Sequence, residues 1–343
     1  MRELTYLGEG KLEWRDVEPP VLQLETDALV RPVAAARCDL DVAILRGRLP
    51  LPGPFAFGHE VVAEVVATGP AVKSVAVGDV VVVPCQISCG ACGRCLRGMT
   101  GYCERVPPMS AFGLGPICGT WGGAASDLLR VPYAEAMLVR LPAGVSPTFV
   151  AAASDNLPDA WRTVGPPLAA RPGSAVLVVG GGAPSIGLYA VAMAKALGAA
   201  QVTYVDRDAG RLAAARALGA EAVEAAGGFP ERLGPFPVVV DASGHPKGLA
   251  TALRSVEPGG ICTSVGAYPG NATPIPLWDM WLGAATLCTG LVNARADLPK
   301  VLALVVEGGF KPESVPTRVA AWEDAPLAFL DPAPKLVISR TAS

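Results

Sequence analysis

The sequence predicts an α/β fold in two parts, a β-rich region and a doubly wound parallel sheet. Three observations point there. Residues 1–145 carry short valine-rich runs separated by glycine and proline turns. Residues 174–267 alternate strand-like stretches with alanine-rich helical ones. A glycine-rich turn stands at the first strand-to-helix junction of that second region.

In the β-rich part, "HEVVAEVVATG" and "GDVVVVPCQ" are the clearest strands. In the alternating part, "SAVLVVG" is a strand and "SIGLYAVAMAKALGA" a helix ended by Gly198. "QVTYVD" is a strand and "DAGRLAAARALGA" a helix. "FPVVVDAS" is a strand, "PKGLATALRSVEPGG" a helix and "ICTSVGA" a strand. The tail closes on a strand-like "KLVIS". Solenoid-length repeats are not expected.

The chain has 343 residues, room for about two domains. The net charge is −3 and no basic block occurs, so nucleic acid is not an expected partner. No charge falls between Arg171 and Lys195, yet Gly180, Gly181, Gly182 and Pro184 break that window. It reads as strand, turn and helix, not as a membrane span. "MRELTYLGEGKLEW" holds no apolar h-region, so the expectation is a soluble cytoplasmic protein. Nine cysteines in that setting suggest metal binding over a disulfide framework.

"CGACGRCLRGMTGYC" sets Cys89, Cys92, Cys95 and Cys103 at spacings of 3, 3 and 8. Four thiolates can surround zinc tetrahedrally, and such closed sites are structural. A redox Cys-x-x-Cys pair would leave two cysteines unused; an iron–sulfur site is the other competing reading. Cys85, just upstream, reads as a buried thiol.

"VLVVGGGAPSIGLYA" supplies Gly180 and Gly182, with Gly187 as a third glycine two residues later than the usual fingerprint. Asp206 ends the next strand, 19 residues after Gly187. An acid there can bind ribose hydroxyls and repel a 2′-phosphate, which favours NAD over NADP. The adjacent Arg207 argues the other way. Ser185 and Ile186 on the same turn, Arg211 beyond Asp206, and Ser243 and Val265 after later strands complete the cofactor candidates. His245, in "DASGHPKG", reads as a loop residue more readily than a cleft residue.

The chain has two histidines. His59 lies 21 residues after Cys38, with Glu60 beside it. Singly, each reads as a structural residue. Together with the cysteine cluster and the nucleotide motif, the chain resembles the zinc-dependent medium-chain dehydrogenase/reductase family, alcohol dehydrogenase type. The resemblance covers nearly the whole chain. It rests on Cys38, "GHE" at 58–60, the four-cysteine lobe, the glycine-rich turn, "DASGHP" and "KLVIS".

That resemblance implies a GroES-like catalytic domain from both chain ends, residues 1–145 and 290–343, with a Rossmann domain at 146–289. It implies a zinc ion on Cys38 and His59, with Glu60 the neighbouring acid, and a second, structural zinc on the four cysteines. Asp155 in "SDNLPDAW" takes the third ligand's place, as in the glutathione-independent formaldehyde dehydrogenase branch, which "VPYAEAMLVRLP" also resembles. The competing role for Asp155 is a helix N-cap. Asp41 matches the acid that orients the zinc-binding histidine; a turn residue is the plain alternative. The implied activity is hydride transfer between NAD and an alcohol, aldehyde or ketone whose oxygen binds zinc. Relatives are dimers or tetramers, so a homodimer or homotetramer is expected.

Leu40 and Ala43 stand where the family carries proton-relay groups, and Asp39 stands in a glycine position. Leucine moves no proton. Glu60, Asp39 and Ser154 are the candidate substitutes. Competing functions are a zinc-free quinone or enoyl reductase and a non-enzymatic zinc-and-nucleotide redox sensor. Trp121, Trp161 and Trp281 are candidates for pocket lining or for core.

Overall fold

A computed structural model describes residues 1–268 and 272–340. The chain divides into two compact units. One comprises Met1–Pro158, Val292–Val306 and Thr317–Ser343; the other comprises Asp159–Leu291 and Glu307–Pro316. The first division lies later in the chain than 145/146. The turn Ala151–Ser154 packs on strands of the first unit and carries the chain into Asp155.

In chain order the strands of the first unit are β1 (Arg2–Gly8), β2 (Lys11–Asp16), β3 (Ala28–Arg37), β4 (Phe55–Ala56), β5 (Glu60–Thr68), β6 (Val80–Val83), β7 (Leu129–Val131) and β8 (Val139–Arg140). The second unit follows with β9 (Val176–Val179), β10 (Val202–Asp206), β11 (Glu221–Glu224), β12 (Phe236–Asp241), β13 (Val256–Ser264) and β14 (Thr286–Cys288). β15 (Thr317–Ala321) and β16 (Lys335–Ser339) return to the first.

The first unit is built on a large sheet of order β15-β16-β3-β5-β6-β8, with β7 also on β3. A small sheet, β2-β1-β4, accompanies it. Period-two alternation sorts the residues. Val61, Ala63 and Val65 of β5 join Val81 and Val83 of β6 in one apolar cluster. Ala35 of β3 and Leu336 and Ile338 of β16 join another with Phe57 and Trp322. Each buried valine, leucine, isoleucine or phenylalanine among them contributes about 1.5–3 kcal/mol through burial. β16 pairs antiparallel with β3, and β3 with β5, so β16 lies two places from the strand that follows His59.

The second unit holds a six-stranded parallel sheet of order β11-β10-β9-β12-β13-β14. All four residues of β9 are buried, as expected of a strand covered on both faces. This order is that of a doubly wound nucleotide-binding sheet, with its switch point between β9 and β12. The helices Pro184–Ala196, Ala209–Ala217 and Pro246–Arg254 fall where the alanine-rich stretches predict them. The third ends earlier than its predicted stretch, and "VEPGG" opens β13 instead. Pro258 lacks the N–H a continuing helix would use. Among the described residues no helix is long and apolar enough to cross a membrane.

Candidate active site and metal centres

Cys38 directly follows β3 and caps the helix Asp39–Leu45. Its backbone N–H donates to Asp41 Oδ2 at 2.9 Å, closing a capping box. The other Asp41 oxygen lies 3.4 Å from His59 Nδ1, and both groups are buried. Among the described residues, neither atom has another hydrogen-bond partner. Asp41 is thus a cap residue and a histidine-facing acid at once. With Nδ1 turned to Asp41, His59 presents Nε2 on its opposite side, 3.4 Å from Asp155 Oδ2.

His59 sits directly before β5, behind Gly58 at φ +90°. Gly113 is pressed against that glycine. A Cβ at Gly113 would lie 1.9 Å from the Gly58 carbonyl oxygen. Asp155 follows the turn Ala151–Ser154 and precedes the helix Asn156–Ala170. Its carboxylate faces inward and accepts from the thiols of Cys38 (3.1 Å) and Cys85 (3.3 Å).

The donor atoms of Cys38, His59 and Asp155 lie within 4.8 Å of one another. Thiolate, imidazole and carboxylate form a donor set suited to zinc with an open position. The electrostatics fit as well. Burial opposes charge on His59, yet Asp41, Cys38 and Asp155 hold its pKa well above the usual value. Burial also opposes charge on Asp155, but His59 and the two thiols bring it down to about 2. The pocket favours added positive charge, which a metal ion would supply. Burial and Asp155 push the Cys85 thiol well up, so it stays protonated.

Behind the three donors lies a buried network that the sequence did not disclose. Lys335, at the start of β16, is fully buried and donates to Glu60 and to Asn156 Oδ1, the latter at 2.7 Å. The Asn156 backbone N–H donates to Glu60 Oε1 at 3.0 Å. The Asn156 amide nitrogen donates to Cys38 Sγ at 3.1 Å and Asp155 Oδ2 at 3.3 Å.

Two candidates for a substitute proton carrier have their polar atoms engaged by other groups. Ser154 Oγ donates to the Val61 carbonyl (3.0 Å) and accepts from the Val61 N–H (2.8 Å), so its proton is committed to β5. Glu60 is held by Lys335 and Asn156. Asp39 is buried at the helix start, while Leu40 packs on the cluster that includes Phe57.

The sulfurs of Cys89, Cys92, Cys95 and Cys103 also converge within 4.8 Å, and all four cysteines are free of disulfides. Backbone N–H groups turn toward them. Cys92 N and Ala91 N donate to Cys89 Sγ (3.3 and 3.5 Å), and Glu104 N and Cys95 N to Cys92 Sγ (both 3.5 Å). Those last two bonds bring the Cys92 thiol down to about 6. The amides thus favour a thiolate at Cys92, whereas burial pushes the Cys95 thiol up to about 12 and the Cys103 thiol up as well.

In the second unit the glycine-rich turn follows β9 at the switch point. Cβ atoms at Gly180, Gly181 and Gly182 would lie 2.4 Å from the Tyr204 hydroxyl, 2.7 Å from Ser243 O and 3.0 Å from Ser243 O. Gly187 lets its helix approach β12, since its Cβ would lie 3.3 Å from that of Ala242. Ser185 and Ile186 are buried in the first helical turn. Asp206 ends β10, buried, and accepts from Tyr204 Oη (2.7 Å), Arg207 N (2.6 Å) and Arg211 Nη2 (2.9 Å). Arg211 also donates to Gly181 O at 2.7 Å, tying the acid to the turn. Arg207 is exposed, its guanidinium 5.6 Å from the Phe229 ring centre. Ser243 Oγ donates to Asp241 Oδ1 at 2.6 Å, and Val265 N to Asp241 O at 3.0 Å. His245 caps the helix Pro246–Arg254 through Nδ1, the loop role. Trp121 packs on the core around β5, Trp161 lies half-buried in its helix, and Trp281 stacks on Trp278 at the surface.

Comparison with known proteins agrees with this geometry. Residues 24–143 match the alcohol dehydrogenase GroES-like domain, and residues 185–307 match the zinc-binding dehydrogenase domain. A probable zinc-binding alcohol dehydrogenase of Mycobacterium tuberculosis is 31% identical over 95% of this chain and 83% of its own length. The chain belongs to the zinc-binding alcohol dehydrogenase family. An alcohol dehydrogenase from Thermus sp. ATN1 has a similar structure, with a TM-score of 0.89, 32% identity and 99% of each chain covered. A glutathione-independent formaldehyde dehydrogenase of Pseudomonas aeruginosa is 35% identical over 64% of this chain and 57% of its own length. The family membership makes the chain an oxidoreductase of GroES-like and Rossmann architecture.

Proposed function

We propose that this family member oxidises small alcohols and, in reverse, reduces aldehydes or ketones, with NAD as its nucleotide. We assign one zinc to Cys38, His59 and Asp155, and a second, structural zinc to the four-cysteine lobe. The observation that carries the reading is the convergence of a thiolate, an imidazole and a carboxylate at one buried point. When bound, zinc supplies a Lewis acid for the substrate oxygen and NAD the hydride acceptor.

The chain's own residues have distinct parts. Asp41 Oδ1 holds His59 with Nε2 inward, fixing ring and tautomer. Cys85 Sγ keeps its proton toward Asp155 Oδ1, leaving Oδ2 as the oxygen nearest Cys38 and His59. Leu40 adds an apolar side chain beside Cys38 and carries no proton. With Ser154 and Glu60 committed elsewhere, the substrate's proton leaves without a side-chain relay through either. Asp206 supports NAD, because an acid at the end of β10 disfavours a 2′-phosphate. A homodimer or homotetramer belongs to the same reading. The open edge strand β14 and the exposed Leu277, Trp278, Trp281 and Leu282 support it.

The test combines metal analysis with an alcohol screen followed by NADH absorbance. The expected result is two zincs per chain and a higher kcat/KM with NAD than with NADP. Cys38→Ser and His59→Ala should each abolish turnover and remove one zinc while the other stays. Retained turnover in both variants would overturn the assignment.

A further inference from the structure

Asn156 joins two groups: the buried ammonium of Lys335 and the sulfur of Cys38. The orientation of its amide is fixed by chemistry. An ammonium has donors only, so the amide atom 2.7 Å from Lys335 Nζ is the oxygen. The amide nitrogen therefore faces Cys38 Sγ at 3.1 Å. Its backbone N–H is spent on Glu60 at 3.0 Å, which pins the residue from a third side. Lys335, Glu60 and Asn156 are all completely buried. Cys38 Sγ also receives the Leu40 N–H at 3.4 Å, so the sulfur is a hydrogen-bond acceptor from two directions.

We infer that Asn156 is a positioning residue that relays the positive charge of Lys335 to the Cys38 sulfur and so weakens that thiolate's electron donation to the metal. This rests on the assignment of Cys38 as a metal ligand. The physics is that of a polarised chain. A cation on the amide oxygen draws density from the nitrogen and makes its N–H a stronger donor. A stronger N–H···S bond lowers the energy of the sulfur lone pair that would otherwise be shared with the metal. A more electron-poor metal is a stronger Lewis acid toward a substrate oxygen. In a chain whose relay positions hold Leu40 and Ala43, acidity of the metal is a property that other residues must set. Glu60 pairs with the lysine's ammonium.

The test uses cobalt(II) in place of zinc and reads the sulfur-to-cobalt charge-transfer band. The spectrum of the Cys38→Ser protein is subtracted to remove the four-cysteine lobe. Asn156→Leu deletes the N–H donor, and its band should move to lower energy. Lys335→Met with Glu60→Gln keeps Asn156 but removes the ammonium without stranding a carboxylate. Its band should move the same way by a smaller amount, and it carries the test if Asn156→Leu does not fold. An unmoved band in either cobalt-loaded variant overturns the relay. Absence of any Cys38-dependent band in the parent protein would instead sink the ligand assignment, and the relay with it.

Discussion

Replacing Lys335 by methionine removes the buried ion-pair partner of Glu60, and the cost can be worked out in advance. Both groups are fully buried. Burial already pushes the Glu60 carboxyl above its usual range, and Lys335 pulls it back. Without the lysine, Glu60 escapes an unpaired buried charge by taking up a proton. That caps the penalty. Protonating a carboxyl of ordinary pKa about 4.3 costs roughly 1.4 kcal/mol per pH unit, so about 3.7 kcal/mol at pH 7 and about 1 at pH 5. The orphaned Asn156 carbonyl adds about 1–3 kcal/mol at any pH. The sign follows from proton counting. The folded variant holds a proton that the unfolded chain has lost above about pH 4.3, so its stability falls as pH rises. Lys335→Met should therefore lose about 5–7 kcal/mol at pH 7 and about 2–4 kcal/mol at pH 5. Adding Glu60→Gln should flatten that dependence and recover about 3–4 kcal/mol at pH 7. Denaturant unfolding between pH 5 and 8 measures both. A pH-independent loss in Lys335→Met, or a double variant no more stable than the single one at pH 7, would refute the reasoning.

Two further outcomes follow from the site. Asp41→Asn should weaken zinc binding about 10–100-fold, because His59 loses its orienting carboxylate; competition with a chelator measures this, and an unchanged affinity counts against the role. Gly113→Ala places a Cβ 1.9 Å from the Gly58 carbonyl, at φ +63°. It should cost more than about 2 kcal/mol and loosen the segment holding His59. A thermal midpoint within a degree of the parent would contradict that.

Much of the architecture was legible because local patterns and tertiary roles agree. The valine runs of β5, β6 and β9 announce strands, and the four cysteines carry their own spacing rule. The glycine turn was legible even with its third glycine displaced, because it stands between a strand and a helix. What escaped notice depended on long-range packing. Lys335 opens "KLVIS" and reads as the polar end of a strand; only pairing of β16 with β3 sinks it beside Glu60. Asn156 carries no motif of its own, and its contact with Cys38 spans 118 positions. The bonds of Ser154 to Val61 were not legible, because they are set by sheet packing and not by any motif. The one available signal was a lone cation at the head of an apolar run near the chain's end.

The position of Lys335 also orders events during synthesis. Cys38, His59 and Asp155 are all made before it, and about 180 residues separate Asp155 from Lys335. At roughly 5–20 residues per second, the ribosome needs on the order of 10–40 s to cover that distance. Through that interval the growing chain carries its thiols and carboxylate without the strand that balances Glu60 and anchors Asn156. The buried network behind the proposed metal pocket can therefore close only once β16 has been made.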